Sequence, residues 1–185
     1  MYISNNHFIG QGIAKIVYEH PTDKNICIKF PNPKKKRSLH DIKREVSYLK
    51  KHQNQLNWVA PYIGKTETNL GTGYMYQMVR DYSGEISTPL IETSWLERKK
   101  DVEQKIIKMY QEALSHHAVI NDLSSSNIYL QEKKEGFNIV LIDGFGNNNF
   151  IKIADYSKLF LRQKLNRKFT YLCKRLEIPS DFLEV

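Results

Sequence analysis

The sequence is poor in cysteine and has no long apolar run. Its two cysteines, Cys27 and Cys173, lie far apart and outside any CxxC or Cys/His spacing. Neither a zinc site nor a disulfide framework is therefore indicated, and a reducing cytoplasm is the expected location. No window approaches the roughly eighteen apolar residues of a membrane-spanning helix, and the first ten residues lack the basic-then-apolar order of a secretory signal. We expect neither export nor a membrane span.

Acidic residues are also scarce relative to basic ones. The chain carries 28 basic and 20 acidic residues, a formal charge of +8. This excess favours an anionic partner such as a nucleotide, a nucleic acid or an acidic lipid headgroup, and charge alone does not choose among them. With 185 residues, of which 41% are hydrophobic and 26% charged, the chain can form one domain or two small lobes that share a cleft.

The first eighty residues predict short strands with one helix among them. Two β-prone runs in HFIGQGIAKIVYEHP meet at Gly10 and Gly12, NICIKF alternates in the manner of a strand, and PYIGKTET with GYMYQMV predicts a hairpin. Between them, Ser38 and Asp41 predict a capping box for a helix from Leu39 to about His52. The apolar face of that helix is expected to consist of Ile42, Val46 and Leu49, with Glu45 beside it.

After the polar segment RDYSGEIS the pattern changes to mainly helical. We expect a helix from Ser94 to His117, a second hairpin that ends in FNIVLIDGFGNN, and a final helix from about Ala154 to Leu176. The first of these helices is expected to bury Val102, Ile106, Met109, Tyr110 and Ala113. The predicted fold class is α+β, with residues 1–80 and 81–185 as its two parts.

The stretch HHAVINDLSSSNIYL places two polar residues, Asp122 and Asn127, between two apolar triplets. This pattern predicts a loop at the edge of a core, where a scaffold often presents chemistry. Taken alone, both residues could simply cap turns.

The order of several such features along the chain matches the requirements of phosphoryl transfer from ATP. That reaction uses a glycine-bearing turn, a strand lysine held by an acid, two metal ligands and a carboxylate that orients the acceptor. The sequence offers them in this order: Gly10, Gly12 and Val17 in IGQGIAKIV, Lys29 in ICIK, Glu45 on the next helix, Asp122 and Asn127 as DxxxxN, and Asp143 in IDGFG. Each alone has an ordinary structural explanation, such as a hairpin turn or a solvent-facing charge, and the joint order favours the functional one.

Beyond these motifs, the chain resembles a known family along nearly its whole length. PYIGKTETNLGTGYMYQMVRDYSGEIS is similar to the hinge-strand region of the bacterial YrbL-type family, which is named for the PhoP regulatory network. YSKLFLRQKLNRKFTYLCKRL is similar to the C-terminal basic segment of that family. The ordered motifs resemble the protein-kinase-like superfamily, within which we place the family.

The resemblance implies a two-lobed kinase-like fold, with ATP between a β-rich lobe (1–80) and a reduced helical lobe (81–185). Lys29 would contact the α- and β-phosphates and pair with Glu45. Asp122 would be the catalytic base, and Asn127 and Asp143 would hold Mg²⁺. The remaining nucleotide contacts would be Gly10 and Gly12 over the phosphates, Val17 and Cys27 above the adenine, and a hinge of Met78, Val79, Arg80 and Asp81.

Three departures from the kinase pattern leave other functions open. Lys15 stands at the third glycine, Ile120 at the catalytic-loop histidine, and Ser124 at the lysine two places after the aspartate. Gly144 also makes the metal motif DGFG, and only 42 residues, 144 to 185, follow Asp143. The alternatives to a kinase are a regulatory pseudokinase that binds partners through a basic surface, and an enzyme that transfers AMP.

The C-terminal segment from Tyr156 to Leu176 has no acidic residue and predicts a basic amphipathic helix. Its apolar face is expected to hold Leu161, Leu165, Phe169, Leu172 and Leu176. The simpler interpretation is a helix packed on the second lobe with a solvated basic face. The functional one is a surface that contacts an anion: a phosphorylated sugar of the lipopolysaccharide core, inner-membrane headgroups or an acidic protein. The phosphate acceptor, whether sugar, lipopolysaccharide core or protein, stays open.

Overall fold

A computed structural model describes residues 1–93, 95–146 and 156–183. Its strands are β1 (Phe8–Gln11), β2 (Lys15–Glu19), β3 (Ile26–Pro31), β4 (Tyr62–Thr68), β5 (Gly71–Gln77), β6 (Thr88–Pro89), β7 (Ile128–Glu132) and β8 (Phe137–Leu141). Its α-helices are α1 (Ser38–His52), α2 (Lys99–Ser115) and α3 (Lys158–Leu176). Short 3₁₀ turns connect several of them. The fold is therefore a mixed α+β arrangement, as the sequence predicts.

The first five strands form one antiparallel sheet in the order β1-β2-β3-β5-β4. The β1–β2 turn closes through the Gly12 amide, which donates to the Lys15 carbonyl at 2.8 Å. The β4–β5 turn contains Gly71 with φ of 93°, a left-handed conformation that glycine adopts without strain. Both predicted strand pairs of the first eighty residues are confirmed.

Helix α1 follows β3 and packs its apolar face into the core. Ile42, Val46 and Leu49 are buried, as predicted, and so is Glu45. The predicted capping box is wrong, because the N-cap is Arg37 and the Ser38 hydroxyl donates to the Asn32 carbonyl instead. That bond ties the start of the helix to the end of β3.

The second part of the chain contains a three-stranded sheet, β6-β7-β8, and two longer helices. Strands β7 and β8 form the predicted second hairpin. Helix α2 begins at Lys99 after a 3₁₀ turn, Trp95–Arg98, and buries all five residues predicted for its inner face. The predicted start at Ser94 lies outside the described residues.

Helix α3 buries the predicted stripe of Leu161, Leu165, Phe169, Leu172 and Leu176. Its predicted start at Ala154 lies outside the described residues, and the described helix begins at Lys158. In the described part of the chain, no helix combines the length and the apolar character needed to cross a membrane.

The two parts of the chain share one core. The segment 58–60 runs beside the end of β8, where the Leu141 amide donates to the Trp58 carbonyl and the Ala60 amide donates to the Leu141 carbonyl. One hydrophobic cluster includes α1, β5, α2, β8 and α3. The cluster fixes the first sheet against the loop that carries Asp122 and Asn127.

Candidate functional site

A cavity of about 760 Å³ lies between the five-stranded sheet and the loop after α2. It brings together residues predicted from widely separated stretches of sequence. Those that line it are Gly10, Gly12, Val17, Cys27, Lys29, Glu45, Met78, Val79, Asp122, Asn127 and Asp143. A volume of this size suits a ligand as large as a nucleotide.

Arg80 and Asp81, predicted as the end of the hinge, are not among the lining residues. Arg80 turns to the sheet edge, where it pairs with Glu19 and donates to the carbonyls of Lys24 and Gly84. The Asp81 carboxylate accepts hydrogen bonds from the Ser87 hydroxyl and the Glu132 amide. The lining stretch runs instead from Tyr76 to Val79, so the prediction extended too far toward the C-terminus.

The glycine-bearing turn leaves open space beside the cavity. A methyl group added at Gly10 would meet no atom within 4 Å, and one at Gly12 would approach only the Lys15 carbonyl at 3.9 Å. The fold itself therefore tolerates a side chain at both positions. Their lack of side chains leaves the backbone of residues 10–12 open toward the cavity.

Lys15 forms the central ion pair of the cavity. Its ammonium lies 2.7 Å from Glu45 Oε1 and 2.6 Å from Asp143 Oδ1, and its side chain is only 6% exposed. This arrangement corrects the expected pairing of Lys29 with Glu45. Lys15 begins β2 and so places its ammonium between α1 and the segment after β8.

Lys29 lies nearby in a different environment. Its ammonium donates to the Ile142 carbonyl at 2.6 Å and lies 4.2 Å from the centre of the Tyr76 ring. The Tyr76 hydroxyl in turn donates to Glu45 Oε1 at 3.1 Å. Lys29 is thus held by a neutral carbonyl and a ring face, whereas Lys15 is held by two carboxylates.

Burial and charge shift the pKa values of this cluster in opposite directions. Burial raises the pKa of Glu45 to about 7, and the neighbouring Asp143 charge adds to the rise. Burial acts to raise the pKa of Asp143 as well, but the Lys15 ammonium outweighs it and holds that pKa well below its usual range. Burial acts to lower the pKa of Lys15, and the attraction of Glu45 and Asp143 outweighs it, so the pKa is raised. Asp143 therefore keeps its charge, and Glu45 is the carboxyl that takes a proton.

The loop between α2 and β7 holds Asp122 and Asn127 side by side. Asn127 Nδ2 donates to Asp122 Oδ2 at 3.1 Å, and the Ile142 amide donates to the Asn127 carbonyl at 3.0 Å. The loop therefore contacts the residue next to Asp143 through its backbone. Ser124, at the expected lysine position, also lines the cavity, and its hydroxyl lies 2.8 Å from that of Ser126.

Gly144 joins Asp143 to this loop. Its carbonyl accepts from the amides of Asn121 and Asp122, and its amide lies 2.6 Å from Asp143 Oδ1. It has φ of 92°, and a methyl group there would lie 2.3 Å from the Asp122 carbonyl oxygen. The extra glycine of DGFG is thus required by the close approach of two backbone segments.

The neighbours of this junction belong to the core. Phe145 is 1% exposed and stacks against Tyr48 and Trp58. Ile120 is fully buried and forms a β-bridge with Phe145. The position expected to carry a catalytic-loop histidine is therefore part of the hydrophobic support of the loop.

The donor set fits a magnesium ion that arrives with a ligand. Asp143 offers carboxylate oxygens. Asn127 offers its amide oxygen, because the side-chain atom that bonds to Asp122 is the amide nitrogen. Across residues 1–93, 95–146 and 156–183, no group of three or more His, Cys, Asp or Glu side chains could form a complete metal site. Mg²⁺ commonly binds through one or two carboxylates plus substrate phosphates, and Asp143 supplies such a carboxylate.

Two residues that shape the cavity were not assigned to it from sequence. The kinase pattern predicts glycine at position 15, but Lys15 lies two residues before Val17 and hence on the same face of β2. Tyr76 is opposite Cys27 in the β3–β5 register, which places it near Lys29. The spacing of Lys15 and Val17 in the sequence could therefore have identified Lys15. Tyr76 could be identified only from the pairing of β3 with β5.

Comparisons with known proteins identify the family of the chain. A family model described as PhoP regulatory network protein YrbL matches residues 1–177. YrbL of Escherichia coli (strain K12) is 28% identical over 173 residues, which cover 89% of this chain and 82% of that protein. YrbL of Shigella flexneri matches with the same identity and coverage. The chain therefore belongs to the YrbL family of PhoP regulatory network proteins.

Proposed function

We propose that this protein is an ATP- and magnesium-dependent phosphotransferase that transfers the γ-phosphate to a hydroxyl acceptor. The observation that carries the proposal is the convergence of an open glycine turn, a strand lysine and a helix glutamate with Asp122, Asn127 and Asp143 on one cavity. These groups come from five separate stretches of the chain. Each has a counterpart in the set that phosphoryl transfer from ATP requires.

The architecture supports a reduced kinase-like fold with two lobes. The first lobe is the five-stranded antiparallel sheet, with α1 inserted between β3 and β4. The second consists of α2, the β6-β7-β8 sheet and α3, which pack on the same core. The cavity lies between these two parts, and in this proposal it binds ATP.

Each side chain has a defined role in this proposal. The backbone at Gly10 and Gly12 approaches the phosphates, Lys29 attracts them electrostatically, and Val17, Cys27, Met78 and Val79 enclose the base. Asn127 and Asp143 hold Mg²⁺, which when bound neutralises charge on the phosphates. Asp122 accepts the proton of the acceptor hydroxyl and orients its oxygen toward the γ-phosphorus.

Two other cationic side chains line the cavity and compensate for the serine at position 124. Lys35 and Arg44 both line it, and both pair with Asp41 at the N-terminal end of α1. Either one can supply positive charge near the γ-phosphate, where electrostatic stabilisation is often the largest catalytic term.

A second candidate is a regulatory module that binds nucleotide without transferring phosphate. The contact of Lys15 with Asp143 favours it, because the proposed metal ligand is already neutralised by a side chain of the protein. A third possibility, transfer of AMP, uses the same cavity. Intact-mass measurement of the acceptor distinguishes an added phosphoryl group from an added adenylyl group.

Replacement of Asp122 by asparagine tests the proposal. The variant Asp122→Asn keeps the shape of the side chain but removes the proton acceptor, so turnover of labelled ATP should fall by about 10²- to 10⁴-fold. Asp101→Asn is the matched control, because the same change is made on the exposed side of α2, outside the cavity. Equal turnover in Asp122→Asn and wild type would refute the assignment of the base. Nucleotide binding without any turnover above the Asp122→Asn level would favour the binding module.

A further inference from the structure

The Lys15 ammonium lies where a metal ion bound to Asp143 would have to approach. It is 2.6 Å from Asp143 Oδ1, the same oxygen that accepts from the Gly144 amide. The pair is buried on the lysine side and one-third exposed on the aspartate side. A cation supplied by the protein therefore contacts the principal oxygen ligand of the cavity.

We propose that Lys15 is the internal counter-cation of the ligand-free cleft, and that a divalent cation binds Asp143 only by exchange with the Lys15 ammonium. The inference deepens the proposed function and rests on it for the role of Asp143. In this inference Lys15 controls when the metal binds. Lys29 has the separate role of binding phosphate.

Coulombic repulsion explains why the two cations exclude each other. Like charges a few ångströms apart repel strongly near a protein surface, so the ammonium and a divalent ion compete for the same carboxylate oxygen. A lysine can move away because its four-carbon stem is flexible and its ammonium is a point charge. Here Glu45, already 2.7 Å from the ammonium, retains it after the exchange.

The second lysine of the cavity does not compete in the same way. The Lys29 ammonium donates to the Ile142 carbonyl and lies over the Tyr76 ring. Neither partner is a proposed metal ligand. Lys29 therefore serves as the matched comparison, with the same side chain in the same cavity and no carboxylate contact within the described ion pairs.

The exchange also predicts that nucleotide assists metal binding. Triphosphate oxygens give the displaced ammonium new anionic partners and add ligands to the metal. In the absence of nucleotide, by contrast, the metal has to replace the ammonium without such compensation. Divalent cations should accordingly bind weakly to the protein alone and more tightly when ATP is present.

Mn²⁺ affinity, measured by electron paramagnetic resonance without nucleotide, tests the exchange. Lys15→Met should bind Mn²⁺ at least about tenfold more tightly than wild type, because the competing charge is gone. Lys29→Met should change the affinity by a smaller factor. Unchanged or weaker Mn²⁺ binding in a folded Lys15→Met protein would overturn the inference.

A second variant keeps the test valid if Lys15→Met does not fold. The double variant Lys15→Met/Glu45→Gln removes the ammonium and one carboxylate together, so only Asp143 stays charged at this point. It should show the same gain in Mn²⁺ affinity over Glu45→Gln alone, and no gain would equally overturn the inference.

A third measurement separates this inference from the proposed function. Adding Asp143→Asn to the Lys15→Met protein should abolish the gained Mn²⁺ binding. If Mn²⁺ binding is unaffected by Asp143→Asn, the metal assignment of the proposed function fails. If the binding depends on Asp143 but not on Lys15, only the exchange fails.

Discussion

The cleft and helix α3 are both rich in basic residues, but they arrange them differently. In the cleft, Lys15 and Lys29 are 5% and 3% exposed and contact specific oxygens from distant parts of the chain. Along α3, seven basic residues occur within 19 positions, and most of them lie on the solvent side of a buried apolar stripe. The two lysines of the cleft therefore have specific partners within the fold, whereas most of the seven basic residues of the helix face solvent.

The comparison shows why a net charge of +8 says little about mechanism. Exposed charges are screened by water and salt and contribute little to stability. Buried charges need specific partners, because an unpaired one is strongly destabilising. The exposure of each charged group thus predicts the size of a mutational effect better than the density of charge does.

The largest difference between the two regions should appear when one lysine of each is replaced by methionine. Lys15→Met leaves the buried Glu45 and the partly exposed Asp143 without their cation and should lower the free energy of unfolding by about 3–5 kcal/mol. Lys174→Met, on the exposed side of α3, should change it by less than about 0.5 kcal/mol. Urea unfolding measures the free energy of unfolding of both variants. Equal decreases would show that the ion pairs of Lys15 with Glu45 and Asp143 do not stabilise the fold.

The next effect concerns the backbone junction of the cleft. Gly144→Ala forces alanine into a left-handed conformation, a strain of about 1–3 kcal/mol, and also places a methyl group against the Asp122 carbonyl. Gly84→Ala is the control, because Gly84 has a similar φ of 91° and open space around it. Thermal unfolding should show Gly144→Ala to be clearly the less stable variant. Equal melting temperatures would contradict the close approach at Gly144.

The cleft should also make the stability of the fold depend on pH, through Glu45. The pKa of Glu45 is raised from 4.5 to about 7, so the folded protein binds more protons than the unfolded chain between these values. Stability from this group is complete below pH 4.5 and is lost as the pH rises through about 7.

Glu45→Gln should remove that slope. Between pH 5 and pH 7.5, the free energy of unfolding of wild type should fall by up to about 3 kcal/mol more than that of Glu45→Gln. Urea titrations of metal-free protein at the two pH values measure the difference. A wild-type slope that the variant retains would assign the pH dependence to other groups, such as the histidines.

The smallest effect is expected on α3 itself. Arg167→Gln combined with Lys174→Gln removes two exposed charges and should change stability by less than about 0.5 kcal/mol. The anion-contacting surface inferred from the sequence stays a prediction, and it requires the same variant to bind vesicles of anionic lipid more weakly. Unaltered vesicle binding would assign α3 a packing role alone.

Local sequence patterns predicted the elements of the fold well. Alternation at Ile26, Ile28 and Phe30 marked β3, and the spacing of Val102, Ile106 and Met109 marked the buried face of α2. These patterns report which side of an element is apolar, and at β3 the opposite side, with Cys27 and Lys29, is buried as well. The capping box at Ser38 failed because the hydroxyl found a tertiary partner, the Asn32 carbonyl, which no local pattern reveals.

The sequence predicted several residues that line the cavity, but it did not predict which of their side chains form ion pairs. The order of the motifs predicted that Lys29, Glu45, Asp122 and Asp143 would lie together, and all four line one cavity. Motif order could not show that Lys15 reaches Glu45, because that contact depends on how the first sheet lies against α1. Likewise, the end of the hinge was misplaced since Arg80 has a closer partner in Glu19 at the sheet edge.

The shared hydrophobic cluster has a consequence for how the chain folds and fails. Its members come from both sides of the boundary between residues 80 and 81, including Tyr76 and Met78 on one side and Leu90 and Val102 on the other. Cleaving the chain there would expose apolar surface on both fragments, and neither would retain a closed interior. The two parts of the chain therefore form a single cooperative unit. On heating, the whole molecule should unfold in one transition.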